Sequence, residues 1–368
     1  MEVQAAVLNA PSAPFSIETI EVAAPQAGEV LVDIQAAGIC HTDLAAATGA
    51  FGNPFPIVLG HEGAGVVEAV GPGVTSVKPG DKVLLTFNSC GHCPRCESHD
   101  PAYCFEFFPL NFAGARPDGS SRLSKDGKQV GDNFFGQSSF AAKAVANERN
   151  VLKVDDDSDL AILAPLGCGI QTGAGGVLRS LKAKRGEALV VIGGGAVGLS
   201  AVMGGKIAGC DPIILIEPQA GRRDMALTLG ATHVIDPISN PATAEAVRAI
   251  VPAGVDMVVD TSGFVPALEQ AVGMVSTMGR IGLIGVPGSL DAALPVPLVP
   301  FITMGGTVRG IVEGDSDITG FLPELIEHYH AGRLPVDKFI TRYPFDQINQ
   351  AIDDAHHGKC IKPVLVFA

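Results

Sequence analysis

The sequence predicts an α/β protein of two domains, an N-terminal antiparallel β domain followed by a doubly wound domain built on a parallel sheet. Three observations carry this expectation. Residues 1–150 read as short alternating strands broken by Gly and Pro. From about residue 165 the pattern becomes continuous apolar runs separated by helical stretches. A Gly-x-Gly-x-x-Gly turn closes the first of those runs. At 368 residues the chain also exceeds what one small core fills.

In order along the chain, Val30, Val32 and Ile34 alternate with Leu31, Asp33 and Gln35, the period of a half-buried strand. Val66 and Val67 lie between Gly65 and Gly71, and the run 82–85 follows the turn signal Pro79, Gly80, Asp81. The run 188–192 is apolar at every position, as a parallel strand covered on both faces requires. The stretch 199–208 reads as a helix, and 213–216, 255–259 and 281–286 as further strands. Beyond about 310 the runs are irregular, and 361–367 is expected to return to the first domain. The expected division is therefore 1–169, 170–309 and 310–368, with the acidic run 155–157 in a solvated loop near the junction.

Bulk composition excludes several classes. Hydrophobic residues make up 47% and charged residues 17%, which describes a globular protein with a large core. A net charge of −14 without a basic stripe argues against nucleic-acid partners. The start Met1, Glu2, Val3, Gln4 has no basic segment and no apolar core of a secretory signal. No apolar stretch reaches the roughly 18–20 residues of a spanning helix. A reducing cytoplasm, with thiols free to bind metal and no membrane partner, is the expected compartment.

Half of the eight cysteines are clustered. Cys90, Cys93, Cys96 and Cys104 follow one another at gaps of two, two and seven residues, in a loop that holds Gly91 and Pro94. Four such thiolates can wrap one tetrahedral Zn²⁺ without long-range folding, and a four-sulfur shell leaves no position for substrate. The last gap of seven disfavours an iron–sulfur cluster. The quartet is expected to be structural, in a lobe over about 88–108, so chemistry must be sought elsewhere.

The turn at Gly193, Gly195 and Gly198 closes an apolar strand, opens a helix and lies nineteen residues before Glu217. In that context Gly193 permits the tight turn, Gly195 lets the backbone approach a pyrophosphate and Gly198 allows helix–strand packing. The helix N-terminus offers free N–H groups to phosphates. Glu217 would accept hydrogen bonds from ribose hydroxyls and repel a 2′-phosphate, which favours NAD over NADP. Arg222 or Arg223 could instead approach a phosphate.

A second donor set is scattered. Cys40 lies in Gly38-Ile39-Cys40-His41-Thr42-Asp43, His61 in Gly60-His61-Glu62-Gly63, and Cys168 in Pro165-Leu166-Gly167-Cys168-Gly169. Together they could form a Cys₂His site whose fourth position stays open to substrate. The alternative makes the two cysteines buried small residues and His61 a turn histidine.

These motifs, in this order, resemble those of the zinc-dependent medium-chain alcohol dehydrogenase family over nearly the whole chain. Gly60, His61, Glu62, Gly63, Ala64 and Gly65, with Gly71 and Val74, resemble its zinc signature, and the quartet resembles its structural-zinc lobe. The resemblance implies a GroES-like catalytic domain and a Rossmann coenzyme domain. It implies two zinc ions per subunit and makes Cys40, His61 and Cys168 the catalytic ligands. Glu62 would lie behind the metal, Asp43 would orient His61, and Thr42 would take the substrate proton while hydride leaves for the nicotinamide. It further implies that His41 and Lys362 reach the pyrophosphate, and that Thr172, Val197 and Val286 line the coenzyme. Ala45 stands where liver-type members carry a relay histidine, so the outer proton path would run through water or His41. A homodimer or homotetramer is implied, with 281–286 and 307–311 able to pair across an interface.

Ten of the seventeen phenylalanines lie between residues 51 and 140. An aromatic wall including Phe51, Phe87 and Phe134 would bury an apolar substrate and offer extra hydroxyls no partner. With Ala45, this resembles the benzyl- or aryl-alcohol subgroup and implies oxidation of primary aromatic or allylic alcohols to aldehydes. A glutathione-dependent formaldehyde or medium-chain aliphatic alcohol dehydrogenase is the rival reading, and a catalytically silent zinc- and nucleotide-binding protein is the third.

Overall fold

A computed structural model describes residues 1–289 and 291–367. The chain divides into two compact units. The first comprises Met1–Cys168, Asp317–Pro323 and Asp337–Ala368, and the second Gly169–Ser316 and Glu324–Val336. Residues 310–316 and 324–336 therefore belong with the second unit, where the sequence placed all of 310–368 with the first.

The first unit is built on two largely antiparallel sheets. One has the order Ile57–Val58, Glu2–Leu8, Ser16–Val22, Leu123–Lys125, Lys128–Val130. The other runs Val151–Lys153, Lys82–Leu85, Glu62–Val70, Glu29–Gly38, Lys362–Val366, Ile340–Pro344, and Lys143–Asn147 also pairs with Glu29–Gly38. The alternation at 30–35 is thus part of a ten-residue strand at the centre of the sheet. The C-terminal strand does return here, with Leu365 opposite Ala37 and Val364 opposite Gly38.

A buried charge cluster fastens the loop after residue 112 to this sheet. Arg116 donates from Nε and Nη2 to the two oxygens of Glu29, each at 2.8 Å, and Arg122 Nε adds a third bond at 3.0 Å. Burial opposes ionisation of Glu29, but the Arg116 bond, the Arg122 charge and the Gln26 N–H overcome it and hold the carboxyl at about 2. A carboxyl depressed in the folded state stabilises above its unfolded pKa, and that contribution is lost as pH falls towards its folded pKa. Glu29→Gln is expected to cost about 3 kcal/mol at pH 7, because two buried guanidinium groups lose their counter-charge. It should also flatten the loss of stability between about pH 5 and pH 2. Thermal unfolding at pH 7 and pH 3 measures this, and identical acid limbs in variant and wild type would refute it.

The second unit is a six-stranded parallel sheet in the order His233–Ile235, Ile213–Ile216, Leu189–Ile192, Val255–Asp260, Val275–Leu283, Thr307–Gly310. Counted along the chain that is 3-2-1-4-5-6, the order of two mononucleotide-binding halves. Leu189–Ile192 is buried at every residue, with strands on both edges and the helix Ala196–Ala208 packed against it. The strand expected over 281–286 instead spans Val275–Leu283, since its register with Val255–Asp260 ends where Leu283 pairs with Asp260. Among the described residues no single helix is long and apolar enough to cross a membrane.

Candidate functional site

In the first unit the sheet register brings distant residues together. Gly38 pairs with Glu62, so the chain leaving one strand at Cys40 lies beside the chain entering its neighbour at His61. Cys168 follows the turn Ala164–Gly167, which Thr86 ties to the sheet through a 2.6 Å bond from its hydroxyl to the Gly167 carbonyl. Ligand-type atoms of Cys40, His61, Glu62 and Cys168 consequently lie within 4.8 Å of one another.

His61 has no exposed surface. Its Nδ1 lies 2.9 Å from Asp43 Oδ1, which also accepts from the Gly60 N–H at 3.0 Å, while Asp43 Oδ2 accepts from the Cys40 N–H at 2.9 Å. Asp43 thus ties the two segments together and fixes which ring nitrogen carries the proton. The other nitrogen, Nε2, is buried without a hydrogen-bond partner. An orphaned, buried imidazole nitrogen facing two sulfurs is what a zinc ion would satisfy. Cys40 is held well below the ordinary thiol range, first by its hydrogen bond with Cys168 and against the effect of burial. The donor set therefore fits a borderline-soft dication.

Lys362, expected at a pyrophosphate, is instead buried beside this site. Its ammonium lies 2.5 Å from Glu62 Oε2 and donates to the Ile39 carbonyl at 2.9 Å. Burial disfavours that charge, but Glu62 and Cys40 hold it in place and raise its pKa. The pairing of Val364 with Gly38 carries Lys362 inward to Ile39 and Glu62. His41 is exposed at the first position of the helix His41–Ala47, and the Thr42 hydroxyl lies 3.7 Å from the Cys40 sulfur.

Seven phenylalanines (Phe51, Phe87, Phe107, Phe108, Phe112, Phe134 and Phe135) form one connected cluster that ends on His61. Phe51 packs on Phe112 at 4.8 Å between ring centroids, Phe112 on Phe134 and Phe135 at 5.8 and 5.1 Å, and those two on His61 at 5.4 and 4.4 Å. Of the three expected pocket residues, Phe87 and Phe134 are fully enclosed and only Phe51 retains exposed surface. Sequence reasoning missed Gln137, whose amide donates to the carbonyls of His61 and Thr86 at 2.9 and 3.2 Å and accepts from the Gly63 N–H at 3.0 Å. No spacing in the sequence signals that role.

The quartet forms a separate knot in the same unit. Its sulfurs lie 3.9 Å (Cys90 to Cys96), 3.6 Å (Cys93 to Cys96) and 4.0 Å (Cys93 to Cys104) apart. The edge of a tetrahedron with zinc–sulfur arms of 2.3 Å is about 3.8 Å, so the sulfurs already stand at ligand spacing. The Phe105 and Cys96 N–H groups pull Cys93 down to about 6, whereas burial pushes Cys104 up to about 12. Full ionisation at this spacing needs a cation in the centre. Cys93, Cys104 and Leu110 form the small apolar core of the lobe.

In the second unit the glycine turn has the shape a dinucleotide requires. Gly193 has φ +96°, open to glycine and strained for other residues. A Cβ on Gly198 would collide with the Gly193 carbonyl oxygen, whereas one on Gly195 would meet nothing within 4 Å, leaving an open cradle at the start of the helix Ala196–Ala208. That helix begins three residues before the expected 199, and Val197 lies in its first turn. Glu217 is buried at the end of its strand, accepting from the N–H groups of Gly194 and Gln219 at 2.6 and 2.8 Å. A carboxylate offers about four acceptor positions, so capacity remains for ribose hydroxyls. Arg223 is occupied by the carbonyls of Glu217 and Pro218 and by Asp236. Arg222 keeps a buried Nε without a hydrogen-bond partner. The Thr172 hydroxyl is 3.5 Å from Glu313 Oε2, and Val286 is exposed.

The chain as a whole resembles known proteins. The family model described as "Alcohol dehydrogenase GroES-like domain" matches residues 26–156, and "Zinc-binding dehydrogenase" matches residues 196–327. A geraniol dehydrogenase of Castellaniella defragrans is 46% identical over 365 residues, covering 99% of this chain and 97% of its own. An alcohol dehydrogenase zinc-binding domain protein from Burkholderia ambifaria superposes with a TM-score of 0.97 at 44% identity, over 100% of this chain and 99% of its own. The benzyl alcohol dehydrogenase of Acinetobacter calcoaceticus does so with a TM-score of 0.96 at 39% identity, over 100% of both chains.

Proposed function

We propose, from the premise that the chain belongs to the zinc-dependent medium-chain alcohol dehydrogenase family, that it oxidises primary allylic or aromatic alcohols to aldehydes with NAD. The observation that carries the substrate class is the run of phenylalanine rings from Phe51 through Phe112 to the rings on His61. Where this buried aromatic cluster reaches the surface, as at Phe51, it favours flat apolar groups and gives the hydroxyls of sugars and polyols no partner. The relatives support it, since geraniol is a primary allylic alcohol and benzyl alcohol a primary aromatic one.

In this reading Cys40, His61 and Cys168 hold one zinc ion and Cys90, Cys93, Cys96 and Cys104 a second. When bound at the first site, zinc supplies a Lewis acid that acidifies an alcohol hydroxyl, and the nicotinamide supplies the hydride acceptor. The two thiolates of Cys40 and Cys168 balance the ion's charge. Asp43 keeps the His61 proton on Nδ1, so that Nε2 presents its lone pair. The Thr42 hydroxyl, adjacent to Cys40, takes the alcohol proton, and the exposed His41 or water carries it to solvent in place of the residue replaced by Ala45. Glu217 selects the unphosphorylated ribose, while Gly193, Gly195, Val197 and Gly198 cradle the pyrophosphate and Thr172 and Val286 flank the nicotinamide. Arg222 Nε is free to meet the adenosine side.

Steady-state kinetics on geraniol, benzyl alcohol, ethanol and sorbitol, each with NAD and with NADP, tests the assignment. The expected order of kcat/KM puts geraniol and benzyl alcohol with NAD at least about 10²-fold above ethanol, several buried methylenes being worth this much. Ethanol or sorbitol in first place, or a preference for NADP, would defeat it.

A second copy of the chain is the partner we assign to the edge strand of the parallel sheet. Thr307, Val308 and Arg309 are exposed, and the preceding helix Leu298–Met304 exposes Leu298, Val299 and Ile302 by more than 70% each. An exposed edge strand beside apolar side chains is a template for another chain. Val308→Pro, which removes an edge N–H, should shift the species seen by light scattering from dimer or tetramer to monomer, and an unchanged mass would exclude this edge. Eight cysteines, none in a disulfide, accord with a reducing cytoplasm.

A further inference from the structure

The segment around residues 133–138 has a backbone that its sequence does not favour. Asn133, Phe135 and Ser138 have φ values of 61°, 50° and 55°, and Gly136 has 68°. A positive φ at a phenylalanine is an outlier, because its Cβ crowds the backbone, and such conformations persist only where surrounding contacts impose them.

The surrounding contacts are dense. Arg122 donates to Asn133 Oδ1 at 2.6 Å, and the Asn133 amide donates to the Ala115 carbonyl at 2.8 Å. The Phe134 N–H donates to Ser138 Oγ at 3.0 Å, whose hydroxyl donates to the Val58 carbonyl at 2.7 Å. Asn150 donates to the Phe135 carbonyl at 3.2 Å.

What this strained turn achieves is aimed at a single side chain. Two consecutive residues place their rings on His61, Phe135 stacked at 4.4 Å with 25° between planes and Phe134 edge-on at 5.4 Å and 79°. Gln137, on the same turn, holds the main chain on either side of that imidazole through His61 and Gly63. The ring is held at Cγ by its own chain and at Nδ1 by Asp43, which leaves it free to tilt about the line through those two atoms. A flat face against the ring removes this freedom, and the direction of Nε2 follows from the ring plane.

We propose that Phe135 is a positioning residue for the metal, acting through the plane of the His61 ring. The inference rests on the reading of Cys40, His61 and Cys168 as the catalytic metal site. Phe135 takes no part in the chemistry. Its flat face keeps Nε2 aimed between the two sulfurs, so the site is assembled before the ion arrives and releases it slowly.

The test is metal exchange and spectroscopy on the full chain. Cobalt(II) is loaded in place of zinc, and both ions are followed during competition with a chelator. In Phe135→Leu, which fills the space without a flat face, the cobalt at the Cys₂His site should leave ten- to a hundredfold faster with altered visible absorption bands. The cobalt in the cysteine quartet should leave at the wild-type rate. Phe135→Tyr, which restores the flat face, should restore the rate and the bands. Phe135→Met gives the same comparison if the leucine variant does not fold. Wild-type release and spectra in the leucine and methionine variants would overturn the role of Phe135 while leaving the site reading intact. So would failure of tyrosine to rescue. A wild-type chain that holds an ion in the quartet alone would overturn the site reading and this inference with it.

Discussion

Cys168→Ser is expected to reduce metal content from two zinc ions per chain to one and to lower kcat/KM by about 10³-fold or more. The size follows from the several kcal/mol of charge stabilisation that a Lewis acid supplies, at about 1.4 kcal/mol per tenfold in rate. The sulfur at 168 is one of two thiolates in the donor set, next to Cys40 and to an imidazole nitrogen with no other partner. A serine hydroxyl is close in size but does not ionise at neutral pH, so the site loses both a ligand and a charge. Folding should be largely retained, because the side chain is small and its turn is tied down through Thr86 and Gly167. Atomic absorption on purified protein, alongside kinetics and thermal unfolding, gives all three quantities. A variant that keeps two ions and full turnover would remove Cys168 from the site.

Cys96→Ser should act in the opposite order, lowering stability before it touches the chemical step. Cys96 lies 3.6 and 3.9 Å from the sulfurs of Cys93 and Cys90, and the lobe around it has a core of only Cys93, Cys104 and Leu110 with a few partly buried neighbours. So small a core cannot order itself without a cross-link, and binding energy of a structural zinc becomes folding energy of the segment. A loss of more than about 3 kcal/mol is expected, a fraction of what such sites contribute in isolated peptides. Folded molecules that survive should turn over at close to the wild-type rate per occupied catalytic site. Unfolding midpoints and active-site titration check this together. A stable variant, replete in zinc, that had lost turnover alone would mean the roles of the two metal sites are exchanged.

The two cysteine sets differ in how completely they would close around an ion. Both can bind a dication, and burial alone does not separate them. What separates them is the number of donors that point inward. The quartet closes its own shell with four sulfurs, whereas the other set has two sulfurs and one imidazole nitrogen, with Glu62 engaged by Lys362. The ion pair keeps a carboxylate close to the metal site without leaving its charge uncompensated. Lys362 therefore belongs to the electrostatics around Cys40, His61 and Glu62, whereas the family resemblance implied a contact with the coenzyme pyrophosphate.

Local and periodic features were legible in the chain itself. The four close-spaced cysteines need only a short loop to meet, so their spacing is enough to define a metal knot. The strands at 189–192 and 213–216 announce themselves because a parallel strand covered on both faces is apolar throughout, and the run at 255–259 is apolar but for Asp256. The glycine turn is equally visible, since only glycine tolerates φ +96° at 193 and backbone contact at 198. Where an element's ends depend on pairing with a neighbour, the sequence was less informative, and 281–286 became Val275–Leu283 because register decides where a strand stops.

Tertiary structure alone decided the rest. Cys40 and His61 meet because Gly38 pairs with Glu62, a long-range register that no local pattern encodes. The same sheet turns Lys362 inward to Glu62, since a C-terminal strand pairing at Val364 with Gly38 brings residue 362 level with Cys40, where its ammonium reaches the Ile39 carbonyl. In the sequence Phe134 and Phe135 are simply two of the ten phenylalanines between residues 51 and 140. It took the left-handed backbone at 133–138 to put both rings on one histidine, and that conformation is imposed by residues from 58 to 150. Residue types and spacings thus determined which chemistry the chain can hold. The side-chain directions that assemble it come from contacts between segments far apart in sequence, and those exist only once the chain has folded.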